Sequence, residues 1–173
     1  MKKRILIDTI IISIISAIFH SIYGIMPNFL TSILFPVNES IWEHGKLIVL
    51  SFLILTVIDK YITKKNYNSA NDNFLAAIIC IILTYLIFTP IYLYVLKTED
   101  NIAITLAIYT ISIIISLIIR EKYIKKLNGV NKNIGTIGFL ALILLYGILT
   151  YYPLQLPLFY DYNKQLYGLN IRP

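Results

Sequence analysis

Five stretches of this chain, residues 5–26, 41–63, 74–96, 102–119 and 134–152, are long, apolar and charged only near their ends. Crossing about 30 Å of hydrocarbon takes roughly 20 apolar residues in a helix, where every backbone group is paired within the segment. The pattern predicts an all-α integral membrane bundle of about five transmembrane helices, forming a single membrane domain over 1–173. Composition agrees: 14% of the residues are charged, where a soluble domain carries about 25%. Too few residues lie outside the apolar runs for a separate soluble domain. Lys2, Lys3 and Arg4 open the chain as a signal peptide would. The apolar run behind them is too long for one and no A-x-A pattern follows, so it reads as a first membrane helix.

The basic residues orient the bundle. With a cytoplasmic N-terminus, the inner segments hold Lys2, Lys3, Arg4, Lys60, Lys64, Lys65, Arg120, Lys122, Lys125, Lys126 and Lys132. The outer segments hold only Lys46, Lys97, Lys164 and Arg172. Eleven against four is the asymmetry of a multi-pass protein of the cell membrane. Five spans then leave the C-terminal tail outside. The net charge of +6 is spent on these clusters, and no basic stripe interleaved with aromatics is present, so the expected partner is the lipid bilayer and not nucleic acid. Asp8, four residues after Arg4, reads as a neutralised pair at the membrane edge. Cys80 is the one cysteine, which excludes an intrachain disulfide and a CxxC metal site.

Between the first two runs, Pro27 and Pro36 bracket an apolar piece too short to span, and an interfacial or re-entrant segment is expected there. Pro90 should kink the outer part of the third helix. Residues 66–73 read as a polar connector, and the tail 153–173, broken by Pro153 and Pro157, as a cover folded over one surface of the bundle. There is no internal repeat, P-loop, GxGxxG, GxSxG or EF-hand.

The polar residues at the outer side need a reason to be there. His20 lies about 22 Å up the first helix from Ile5, a few ångströms below the outer surface of the core. Ionisable residues at that depth face a partner inside the bundle or bond a backbone carbonyl near the interface. The stretch Asn38-Glu39-Ser40-Ile41-Trp42-Glu43-His44 opens the second helix on the same side, and His44 falls at nearly the same depth. Ser40-x-x-Glu43 is a capping box: Ser40 accepts from the Glu43 amide and Glu43 reaches back to the Ser40 amide. Capping requires neither His44 nor Asn38. A carboxylate–imidazole cluster would suit Zn²⁺ or another divalent first-row metal. His20, His44 and Asp161 are its candidate ligands, Glu39 and Glu43 its candidate ligating or catalytic carboxylates, and Asn38 a candidate ligand contact. A spare carboxylate would serve as general base toward a metal-bound water. Asp161 is also the only carboxylate of the tail, where Asn163 and Gly168 make it equally a turn residue. Depth alone does not say whether the imidazoles face each other.

Phe35-Pro36-Val37-Asn38-Glu39-Ser40-Ile41-Trp42-Glu43-His44, together with His20 and the closing Pro157-Leu158-Phe159, Asp161 and Tyr167-Gly168, resembles a family of uncharacterised small bacterial multi-pass membrane proteins. The resemblance covers essentially the whole chain and implies location and architecture, but no reaction. Where many members of that family have Leu after the His, this chain has Gly45, worth about 1 kcal/mol of helix propensity at an interior position. The tail reads Asn163-Lys164 where Thr-Gly is usual, which alters only a turn. Two functions fit these residues. One is an outer-face membrane enzyme, a metal-assisted hydrolase acting on a lipid-like or amphipathic substrate; the other is a non-enzymatic accessory or ligand-binding protein whose polar residues cap and join helices. A proton-coupled carrier fits less well, because Asp8 and Asp59 are expected at the edge and leave no charged path through the inner leaflet.

Overall fold

The computed structural model describes residues 2–62, 69–90, 101–124 and 133–169. Among the described residues six α-helices follow one another: α1 (Lys2–Ile25), α2 (Phe29–Leu34), α3 (Ile41–Val57), α4 (Ser69–Ile81), α5 (Ile102–Lys122) and α6 (Ile134–Tyr151). α3 and α4 continue as wider π-helical turns over Ile58–Ile62 and Ile82–Phe88. Among the described residues, five helices are long and apolar enough to cross a membrane: all of these except α2. The all-α class expected from the apolar runs holds.

The bundle is apolar outside and partly polar inside, the reverse of a soluble helical protein. Leu6, Ile10, Ile14 and Ile18 of α1 and Leu140, Leu144 and Ile148 of α6 are exposed. Ser51, Asn73, Ser112 and Ser116 are buried beside the apolar core of Ile12, Ile48, Phe52, Leu55, Ile113, Leu117 and Phe139. Polar groups inside such a bundle must find partners there, since lipid offers none. Midway along, Ser16 shares hydrogen bonds with Ser51 at 2.8 Å and with Tyr109 at 2.6 Å, tying α1 to α3 and α5. α3 is the central helix: Leu47, Ile48, Val49, Phe52 and Leu55 are buried, whereas α5 leaves Ile104, Leu106, Ile111 and Ile114 exposed.

α2 is the short piece between the two prolines. Asn28 caps it by accepting from the Thr31 amide at 3.0 Å, while the Thr31 hydroxyl accepts from the Asn28 amide. Phe29 and Leu30 are exposed, and Ser32 bonds the Tyr151 hydroxyl at 2.7 Å, so α2 lies against the end of α6.

α4 starts earlier than its apolar run, within the stretch read as a connector. Asn71 and Asn73 can be helical and buried there because each has a partner. Asn71 accepts from the Gly135 amide at 2.6 Å, and Asn73 donates to Thr56 at 3.2 Å. Near Pro90, which cannot donate to the preceding turn, the chain takes the π-helical path. The Thr84 and Thr89 hydroxyls bond the Cys80 and Thr84 carbonyls at 2.8 and 2.6 Å. Residues 91–96 of the expected third helix lie outside the described residues.

The tail forms a 3₁₀ turn, Pro157–Phe159, and a two-stranded hairpin, β1 (Tyr160–Asp161) with β2 (Leu166–Tyr167), pairing Tyr160 with Tyr167. Phe159 stacks on Trp42 with ring centroids 4.5 Å apart. Gly168 takes φ +54, and a Cβ there would lie 2.3 Å from the Thr150 carbonyl oxygen.

Gly45 has a packing reason that helix propensity alone does not supply. A Cβ there would lie 2.0 Å from the Tyr146 hydroxyl and 2.5 Å from its ring. Gly45→Ala is therefore expected to lower stability by about 1–3 kcal/mol through overpacking, despite the better helix former. Thermal unfolding in detergent measures this. Tyr146→Phe in the same background should recover only part of the loss, because the ring carbons remain.

Candidate metal centre

Three elements meet at the end of the bundle that carries the histidines. His20 comes from the penultimate turn of α1, Glu39 from the loop between α2 and α3, and His44 from the first turn of α3. The loop is fixed by its own sequence. The Ser40 hydroxyl caps α3 by accepting from the Glu43 amide at 3.3 Å. The reciprocal half of the capping box differs from expectation: Asn38, and not Glu43, accepts from the Ser40 amide, at 2.9 Å. Two-residue reach suits the short Asn side chain in an Asx turn. This leaves Glu43 free to turn inward.

There Glu43 accepts from the Val37 amide at 3.2 Å, the Thr150 hydroxyl at 2.7 Å and the Lys46 ammonium at 2.6 Å. Lys46 also donates to the Ser32 and Phe35 carbonyls at 2.7 and 3.2 Å, capping the end of α2 with a cation. Side-chain exposure is 1% for Glu43 and 2% for Lys46. The pair secures the loop from below.

Above it, the donors converge. The Nε2 atoms of His20 and His44 are 3.2 Å apart, and Glu39 Oε2 is 3.4 Å from each. A tetrahedral Zn²⁺ has bonds of about 2.0–2.1 Å to nitrogen, so its ligand atoms lie about 3.3 Å apart along the tetrahedron edges. The three separations match those edges. His44 donates from Nδ1 to the Ser40 carbonyl at 2.8 Å. A neutral His44 then carries its free lone pair on Nε2, aimed at the other two donors. The carbonyl bond considered for His20 is made by His44 instead, and the two imidazoles face each other. The His20 and His44 imidazoles hold the Glu39 carboxyl well below the usual carboxylate range. Among the described residues these three form the group that could hold a metal ion, and three ligands leave one position of the tetrahedron open.

The other candidates play different parts. Asp161 is fully buried and is not one of the converging donors. Its Oδ2 accepts from the Glu39 amide at 2.8 Å, and its Oδ1 from the amides of Asn163 and Lys164 at 2.8 and 2.9 Å. It makes the turn and holds the Glu39 loop, so it bears on Glu39 and not on an imidazole. The Asn38 side-chain amide nitrogen donates to the Gly168 carbonyl at 2.9 Å, joining loop to tail. Glu39 is one of the converging donors, and Glu43 and Asp161 are both buried and bonded, so none of these three is a spare carboxylate for a general base.

Two charged residues have roles that a count of topology signals passes over. Lys46 is one, and a signal was available: a Glu–Lys pair three residues apart entering an apolar run. Arg120 is the other, fully buried at the opposite end of the bundle. It pairs with Asp8 and with Glu121 at 3.0 Å, and it donates to the Asn73 side-chain Oδ1 at 2.6 Å. Arg4 joins the same network through Asp59 at 3.1 Å and Asp8 at 3.4 Å. Asp8 thus belongs to a buried charge network linking α1, α3, α4 and α5, which extends the simple Arg4 pair.

No protein of curated function and no solved structure matches this chain. A family model does match it, over residues 1–169, a range that takes in His20, the loop with Glu39, His44 and the tail through Gly168. The chain belongs to the family of unknown function DUF6512.

Proposed function

We propose that this is a multi-pass protein of the cell membrane that binds a divalent first-row metal, best Zn²⁺, through His20, Glu39 and His44 at the extracytoplasmic end of its bundle. The observation that carries the proposal is the set of three donor separations, 3.2, 3.4 and 3.4 Å, brought together from three separate parts of the chain. The orientation is supported by the basic bias toward the N-terminal side. Two imidazoles and a carboxylate with one open position is the ligand count of catalytic zinc sites. A metal held there would supply a bound hydroxide as nucleophile for a hydrolysis.

A structural reading has one specific observation in its favour: the same three groups, sharing a proton in place of a metal, join the end of α1 to α3. Metal analysis of detergent-purified protein separates the two. The expected result is one Zn²⁺ per chain, with affinity falling in both His20→Ala and His44→Ala by more than the 10–100-fold typical of outer-shell changes. Metal-free protein, with no affinity restored on adding Zn²⁺, would sink the metal reading. Asp161→Ala is expected to lower Zn²⁺ affinity by about 10–100-fold without touching a ligand, because it frees the Glu39 loop; Asp161→Asn should lose less. Orientation is tested separately by reporter fusions at the C-terminus, where a cytoplasmic signal would overturn it.

A further inference from the structure

The open position of the centre has a surrounding that narrows what can fill it. On the bundle side the space is taken: Asn38, Ser40, Glu43, Gly45 and Lys46 are buried, and the polar ones bond one another and the loop. On the other side the donors are open, with side-chain exposures of 40% for His20 and 45% for Glu39. An added ligand therefore approaches His20 and Glu39 from outside the bundle. At the depth of His20, outside the bundle means the boundary between lipid headgroups and acyl chains. α1 is low there: Ala17, Ser21 and Gly24 are exposed beside His20, and a Cβ on Gly24 would meet nothing within 4 Å. Further toward the middle of the bundle, Ile14 and Ile18 of α1 present exposed apolar surface. Charge narrows the choice further. A divalent metal with one carboxylate and two neutral imidazoles keeps one net positive charge and favours an anionic oxygen as fourth ligand.

Resting on the metal reading above, we infer that this fourth ligand is the phosphate oxygen of a lipid, whose acyl chain lies along Ala17, Ile14 and Ile18 of α1. Free phosphate offers the same oxygen chemistry without the chain. The chain adds favourable burial, and the bilayer raises the local concentration of the headgroup at the depth of the metal.

The test uses the full chain loaded with Co²⁺ in vesicles of a neutral galactolipid, which carries no phosphate, because the visible spectrum of tetrahedral Co²⁺ reports its fourth ligand. Phosphatidic acid in the vesicles is expected to shift the spectrum at a bulk concentration at least about tenfold below that of inorganic phosphate. Ala17→Leu with Gly24→Leu fills the low strip. It should raise the phosphatidic acid midpoint by about tenfold while leaving Co²⁺ affinity and the inorganic phosphate midpoint unchanged. Equal midpoints for the two phosphates, or an unaltered lipid midpoint in the double variant, would overturn the lipid assignment and leave the metal site standing. A spectrum that responds to neither phosphate would overturn it as well. Failure to take up Co²⁺ at all would overturn the metal reading and this inference with it.

Discussion

Lys46→Met is expected to destabilise the protein by about 3–5 kcal/mol, because it leaves the Glu43 carboxylate buried and without its countercharge. Glu43 would keep the Val37 amide and the Thr150 hydroxyl, neither of which carries a charge. The Ser32 and Phe35 carbonyls would also lose their shared donor, so the end of α2 should loosen along with the loop. The reverse substitution, Glu43→Gln, keeps the shape but leaves the ammonium with only carbonyl partners, and a loss of similar size is expected. The double variant Lys46→Met/Glu43→Gln removes both charges and should recover much of the stability, since the cost lies in the unpaired charge more than in the missing attraction. Thermal unfolding of all four proteins in one detergent closes the cycle. Single variants that melt with the parent protein would show that the pair is hydrated in the membrane protein, against its burial here. The effect should reach the metal centre, because Glu43 and Lys46 hold the segment leading into Glu39 at Val37 and Phe35. Zn²⁺ affinity should therefore fall in each single variant and return in the double one.

Much of the scaffold is legible along the chain because lipid imposes a one-dimensional rule: an uninterrupted apolar stretch of sufficient length becomes a helix. α1, α5 and α6 follow that rule within a few residues at their ends. It fails at Ser69–Asn73, where polar residues enter a helix because partners on other helices accept them. Asn71 reaches the start of α6, and Asn73 reaches α3 and α5. Such partners are contacts between distant segments, which no local pattern encodes. The candidate site divides along the same line. The depth of His20 and His44 follows from counting residues along two helices, but their facing depends on the rotation of α1 against α3, which Ser16, Ser51 and Tyr109 set. The four acids and amides Asn38, Glu39, Glu43 and Asp161 read alike as cap, ligand set or ion pair until the fold assigns each. Asn38 becomes part of the cap, Glu43 the ion-pair partner, Glu39 the ligand candidate, and Asp161 the support of the Glu39 loop.

Arg120→Leu should be as damaging as the loss of Lys46, at the other end of the bundle. It removes the guanidinium that bonds Asp8, Glu121 and Asn73 together, leaving Asp8 almost wholly buried with Arg4 as its remaining cation among the described residues. Arg4 is partly exposed and already shared with Asp59 and Glu121, so its compensation is weak. The expected loss is about 3–5 kcal/mol, the range for breaking a buried ion pair by deleting one partner. Arg120→Lys distinguishes charge from shape. A lysine restores one positive charge but cannot reach three acceptors from one planar fork, so it should recover part of the stability and leave Asn73 without its donor. Asp8→Asn in the Arg120→Leu background removes the stranded charge and should restore more than Arg120→Lys does. Because α1 reaches from this network to His20, a structural test of coupling is also available. If α1 moves as a rigid rod, Arg120→Leu shifts His20 against His44 and lowers Zn²⁺ affinity together with the melting temperature. If the Ser16–Ser51–Tyr109 contacts hold α1 in place midway, the melting temperature falls alone. The second outcome is the expected one, since those hydroxyls fix α1 to both α3 and α5 between the two ends.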